Sequence, residues 1–120
     1  MIGGVGPDAA KYSDPVDIGP AAAAHPDVDI IVCDASFISL AKVLETPLTF
    51  AKTGAQIIAL IKPQFEAGRA AVGKGGIVRE AAQQQRAVDL VRDWLNGQAG
   101  WRVLGVIPAP IRGGSGNQEF

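Results

Sequence analysis

Ile57-Ile58-Ala59-Leu60-Ile61-Lys62-Pro63-Gln64-Phe65-Glu66 runs from an aliphatic block into a lysine and then a proline. A short continuous apolar run before a breaker predicts a strand buried on both faces, as in a parallel sheet. That strand is expected over residues 56 to 62. In open α/β sheets, chemistry gathers just past the carboxyl ends of the strands. Lys62 stands at such an end, either as a working group or as a solvated strand terminus.

Working outward, Val28-Asp29-Ile30-Ile31-Val32-Cys33-Asp34 is short, rich in β-branched residues and ends on an acid, which predicts an earlier strand. Phe37, Leu40, Val43 and Leu44 recur at helical spacing, with Ser36 or Ser39 as N-cap. Thr46-Pro47 restarts the helix, Leu48, Phe50 and Ala51 continue its apolar face, and Gly54 stops it. Residues 63 to 78 form a glycine-rich loop. A second helix runs from about Arg79 to Asn96 with a core stripe of Ala81, Ala87, Val88, Val91, Trp94 and Leu95. Trp101-Arg102-Val103-Leu104-Gly105-Val106-Ile107 is expected as a third strand, stopped by Pro108. The expected class is therefore α/β, a three-stranded, mostly parallel β-α-β-α-β sheet fragment. Its two open edges would favour a homo-oligomer.

Residues 1 to 27 differ from the rest. Pro7, Pro15, Pro20 and Pro26 puncture a glycine- and alanine-rich stretch that reads as a flexible or poorly ordered leader. Gly4-Val5-Gly6-Pro7-Asp8-Ala9 matches the loose dinucleotide fingerprint, but without the preceding strand that fingerprint requires.

With 120 residues the chain is one domain or part of one. A formal net charge of −1 excludes a strong overall attraction to nucleic acid. Lone Cys33 excludes an internal disulfide, and His25 and Cys33 lack partners at ligand spacing, so no metal site is expected. There is no apolar run approaching the ~20 residues of a membrane span. Nor does the amino terminus have the layout of a signal peptide. A cytoplasmic protein with no membrane partner is the expectation.

Asp34 and Lys62 end the first two strands. If those strands are parallel neighbours, the two groups lie on one sheet edge, roughly 5 Å apart. They could be a reacting pair or a structural salt bridge. Glu66 and Glu119 are acids in loops near that end. Gly68-Arg69-Ala70-Ala71-Val72-Gly73-Lys74-Gly75 has the glycine and lysine spacing of a phosphate loop, yet Gly75 replaces the Ser/Thr that would bind Mg²⁺. Arg69, Lys74 and Arg79 suit a lid or contacts to a phosphate backbone better.

Four blocks in one order are similar to a known family: Val32-Cys33-Asp34-Ala35-Ser36-Phe37-Ile38-Ser39-Leu40, Lys62-Pro63-Gln64-Phe65-Glu66, Gly73-Lys74-Gly75-Gly76-Ile77-Val78-Arg79 and Gly116-Asn117-Gln118-Glu119-Phe120. Over residues 28 to 120 the chain resembles the TlyA/FtsJ-like ribosomal RNA methyltransferases, a group also labelled haemolysin A. The resemblance implies a Rossmann-like fold, S-adenosylmethionine as cofactor, ribosomal RNA as partner and the ribose 2′-hydroxyl as methyl acceptor. The family's Lys-Asp-Lys-Glu tetrad maps its aspartate to Asp34, its second lysine to Lys62 and its glutamate to Glu119. Asp34 would also face the cofactor. Ser36, Glu66, Arg69, Lys74, Arg79 and Asn117 fall in the matching loops as substrate-side candidates.

Lys62 would then help remove the proton of a ribose hydroxyl, which is a poor nucleophile on its own. Asp34 would orient it, and Glu119 would hold the ribose or the first lysine. The glycine-rich cofactor loop, the first tetrad lysine and the amino-terminal RNA-binding domain have no counterpart in these residues. The chain thus reads as the carboxyl-terminal half of a catalytic domain, not expected to transfer methyl groups alone. The alternatives are a non-catalytic fragment that self-associates or binds RNA, and a membrane-active haemolysin.

Overall fold

The computed structural model describes residues 2–4 and 27–120, and of 2–4 the backbone only. The chain divides into two compact units, Met1–Ala35 with Lys42–Ala59 and Ser36–Ala41 with Leu60–Phe120.

The first unit is a sheet of β1 (Ile2–Gly4), β2 (Val28–Cys33) and β3 (Ala51–Ala59) in the order β1-β2-β3. The expected parallel pair is present: β2 and β3 run side by side with Ile31 opposite Ile57 and Cys33 opposite Ala59. Their carboxyl ends therefore share one edge, and Asp34 lies one residue beyond β2. On the other side of β2, β1 pairs antiparallel, Ile2 opposite Cys33. A strand thus stands inside the stretch read as a leader. Residues 5–26 of that leader, with the fingerprint at residues 4–9 beyond Gly4, lie outside the described residues.

The helix expected over residues 46 to 54 is corrected. Pro47 does open a helical turn, where its missing N–H costs nothing, but the turn ends at Phe50. From Ala51 the backbone joins β3, because β2 offers it a ladder of hydrogen bonds. Gly54 is no helix stop. It has φ +85° where the register slips, two residues of β2 spanning five of β3 between Val28–Ala51 and Ile30–Gln56. Only glycine adopts that backbone without strain, so Gly54 shapes a bulge. The preceding helix is also shorter than expected, one turn, α1 (Leu40–Val43).

Burial on both faces is corrected too. Ile31 is fully enclosed, whereas Ile58 is 64% exposed, and Val32, its register partner on the same face, is also exposed. Val28, Ile31 and Cys33 of β2 and Val43, Leu44 and Phe50 of the same unit are buried.

The second unit contains α2 (Pro63–Glu66) and α3 (Ala81–Asn96). The long helix matches expectation closely. Ala87 and Val88 are buried, Val91, Trp94 and Leu95 are half-buried, and the N–H of Gly97 closes the last turn onto Asp93 and Trp94. Ala81, placed in the stripe, is exposed. The third strand expected at 101–107 is absent. The segment is not part of the sheet, Leu104 and Ile107 are exposed, and the N–H of Val103 goes to Asn96 Oδ1 at 2.8 Å. Apolar, β-branched composition makes a strand only where a neighbour supplies the ladder.

The one-sided sheet predicts unequal costs of truncation. Ile31→Ala should lose about 2–5 kcal/mol in urea denaturation, the range for large-to-small changes in a packed core. Ile58→Ala should lose well under about 1 kcal/mol, since little of it leaves water on folding.

Candidate active site

Two backbone hydrogen bonds organise the second unit. The N–H of Ile61 donates to the carbonyl of Phe120 at 2.7 Å, and the N–H of Phe120 donates back to Ile61 at 3.0 Å. This reciprocal pair is the unit step of an antiparallel ladder, and it sets the next two residues, Lys62 and Glu119, opposite one another. In such a step the Cα atoms stand roughly 5 Å apart with side chains on one face. The strand expected to reach Lys62 stops at Ala59, and Lys62 instead occupies the turn into α2 with extended backbone (φ −112°, ψ 99°). Pro63 opens that helix and forces the preceding residue out of the helical region.

Lys62 Nζ donates to Ser36 Oγ at 3.2 Å, so two of the sequence candidates meet. Glu119 is held from several sides. It is only 8% exposed. Its carbonyl accepts from the N–H of Ala109 at 2.7 Å, and its Oε2 accepts from Gln64 Nε2 at 3.2 Å. A Cβ on Gly113 would collide with that same Oε2, so the carboxylate fills the space the glycine leaves.

Glu66 works on the backbone. Its Oε2 accepts the N–H of Leu40 at 2.8 Å, taking the capping task expected of Ser36 or Ser39. Burial raises its pKa above the ordinary 4.5, and the Leu40 N–H offsets part of that rise. The neighbouring Phe37 is 89% exposed and has φ 65°, a left-handed conformation rare outside glycine. Its ring lies 5.0 Å from that of Phe65, tilted by 52°. That contact helps hold a backbone that costs about 1–2 kcal/mol.

The phosphate-loop-like segment forms two single turns, Arg69–Ala71 and Lys74–Gly76. Arg69, Lys74 and Arg79 are all exposed. Arg79 Nη1 lies over Gly73, within 2.9 Å of where a Cβ would be. Asn117 is the anchor of this loop. It is 1% exposed, its Oδ1 accepts the N–H of Val78 at 2.9 Å, and its Nδ2 donates to the carbonyl of Gly76 at 2.9 Å. Asn117 thus places the loop that carries Lys74 and Arg79.

Asp34 is exposed and belongs to the first unit, whereas Ser36, Lys62, Glu66, Asn117 and Glu119 belong to the second. Sequence reasoning passed over Gln64 and Gly113. Gln64 sits inside the quoted Lys62–Glu66 block, so its position was available, but nothing local marks an amide two residues from a lysine as a carboxylate partner. Among the described residues no cluster of three His, Cys, Asp or Glu side chains could hold a metal ion.

Asn117→Ala should cost about 1–3 kcal/mol, because it leaves the buried N–H of Val78 and the Gly76 carbonyl without their partner. Equilibrium unfolding in urea measures it. Glu66 predicts a pH effect of definite sign. With its folded pKa above 4.5, the folded chain binds the proton more tightly, so stability from this group falls as pH rises from about 4.5 through the folded value. Melting temperatures across that window should decline less for Glu66→Gln than for the wild type.

The FtsJ-like methyltransferase family matches residues 10–120, so the family pattern begins well before residue 28, where the motif resemblance starts. The chain is 43% identical over 93 residues to the 16S/23S rRNA (cytidine-2′-O)-methyltransferase TlyA of Mycobacterium tuberculosis, covering 78% of this chain and 34% of that protein. It is 35% identical over 97 residues to Hemolysin A of Brachyspira hyodysenteriae, covering 76% of this chain and 38% of that protein. The crystal structure of a candidate hemolysin from Lactococcus lactis superposes with a TM-score of 0.71 at 39% identity, over 77% of this chain and 43% of that one. The chain therefore spans well under half the length of these relatives. Among the described residues no helix is long and apolar enough to cross a membrane. The motif blocks, the parallel β2–β3 pair and the match over residues 10–120 agree: the chain belongs to the FtsJ-like methyltransferase family.

Proposed function

We propose that this chain carries the methyl-accepting side of an S-adenosylmethionine-dependent methyltransferase that modifies a ribose 2′-hydroxyl of ribosomal RNA. The observation that supports it most is the Ile61–Phe120 pairing, which sets Lys62 and Glu119 opposite each other in register. Both residues fall in the motif blocks that match the family's lysine and glutamate. The 43% identity to a protein named as a ribosomal RNA cytidine-2′-O-methyltransferase points the same way.

In this reading Lys62 assists loss of the hydroxyl proton, and Ser36 steers its ammonium arm. Glu119 offers a carboxylate to the ribose or to a second cation. Arg69, Lys74 and Arg79, exposed on one loop, contact phosphates of the RNA. When bound, S-adenosylmethionine supplies the methyl group. Asp34 is the residue of this chain that would hold it: its carboxylate is exposed at the carboxyl end of β2, where a parallel sheet receives ligands, and can accept hydrogen bonds from the cofactor's polar groups. What remains for the protein is alignment of oxygen, methyl and sulfur, which is catalysis by position. The chain covers 34% of that relative, and the proposal is for the activity of the whole protein.

Methyl transfer from labelled S-adenosylmethionine to ribosomal subunits, assayed with the full-length protein, tests the proposal. Lys62→Ala should lower the rate by about 10²–10⁴-fold, the usual worth of a positioned acid–base group, while leaving cofactor binding by calorimetry unchanged. A Lys62→Ala protein with the wild-type rate would sink the role given to Lys62.

A further inference from the structure

We propose that Gln64 is a positioning residue for Glu119, fixing its carboxylate opposite Lys62 for the transfer reaction. The inference rests on the methyltransferase reading above and adds to it a residue outside the Asp34, Lys62 and Glu119 set.

Gln64 lies in the first turn of α2, two residues after Lys62, so the lysine's own turn supplies the donor. Its Nε2 reaches Glu119 Oε2 at 3.2 Å across 55 residues of sequence. The side-chain amide thus repeats, one layer out, the link already made by the backbones of Ile61 and Phe120. Gly113 confines the same oxygen from another direction, since any side chain there would occupy its place. Between the amide and the glycine the carboxylate has little choice of rotamer.

Packing alone does not explain a glutamine here. Its Oε1 is buried and accepts no hydrogen bond from the described residues, a cost that an apolar side chain of similar volume would avoid. The amide makes sense as a donor to Glu119. A neutral donor orients the carboxylate without cancelling its charge, as an arginine or lysine in the same place would.

Two measurements test the assignment. In NMR spectra of this chain, a side-chain amide proton of Gln64 should resonate apart from exposed glutamines and should move on Glu119→Ala. A Gln64 signal indifferent to Glu119→Ala overturns the contact and the proposal with it. In the full-length protein, Gln64→Leu should lower kcat by about tenfold with KM for RNA unchanged, as for loss of one hydrogen bond to a charged group. Gln64→Met, closer in length and flexibility, serves where leucine disturbs folding. In a Glu119→Ala background the same change should add nothing, because Gln64 acts through Glu119. A loss that persists in that background, or one carried by KM, overturns the proposal. A full-length protein with no methyl transfer overturns the functional reading instead, while the amide signal still decides the contact.

Discussion

The exchange of two hydrogen bonds between Ile61 and Phe120 is the constraint on which the second unit depends. It joins Ile61 to Phe120, 59 positions later in sequence. Once that step is made, the residues on either side have little freedom. Pro63 turns the chain into α2 immediately after Lys62, and the Ala109–Glu119 and Gly113–Asn117 bonds fold the last residues back on themselves. The register that Lys62 and Glu119 share follows from the backbone exchange beside them.

Neutral donors meet two acids of this unit. Glu66 takes a backbone N–H from Leu40, and Glu119 takes an amide from Gln64. Burial raises the cost of the Glu66 charge, and the Leu40 N–H offsets part of that cost. A salt bridge would lower that cost but would also hold the acid to one cation. The loop that carries Lys74 and Arg79 follows the same economy: one buried amide, Asn117, satisfies two backbone groups and leaves the cations exposed.

Much of the fold and site was legible in the chain itself. The β-branched run Val28 to Cys33, the helix from Ala81 to Asn96 and its Gly97 stop follow from periodicity and punctuation. The family followed from four motif blocks read in order, and its match over residues 10–120 agrees. Other parts were not legible, for identifiable reasons. Leu48, Phe50 and Ala51 carry a helix-like apolar spacing, yet from Ala51 the open ladder of β2 outweighs so weak a local preference. Residues 101 to 107 have every mark of a strand except a neighbour. Ile58 looks like core and is exposed, because burial belongs to the surroundings of a residue and not to its type.

The sequence by itself determined the family, the parallel pairing of β2 and β3, the long helix and the identity of the groups able to do chemistry. These depend on residue type, local spacing and motif order, which any reading of the chain contains. Only the tertiary structure decided which of those groups meet: Lys62 with Ser36, Glu119 with Gln64 and Gly113, Asn117 with Gly76 and Val78. Each of these contacts joins residues six to 55 positions apart. Long-range register of that kind has no local signature, because the free energy that selects it is gained only when both partners are already in place.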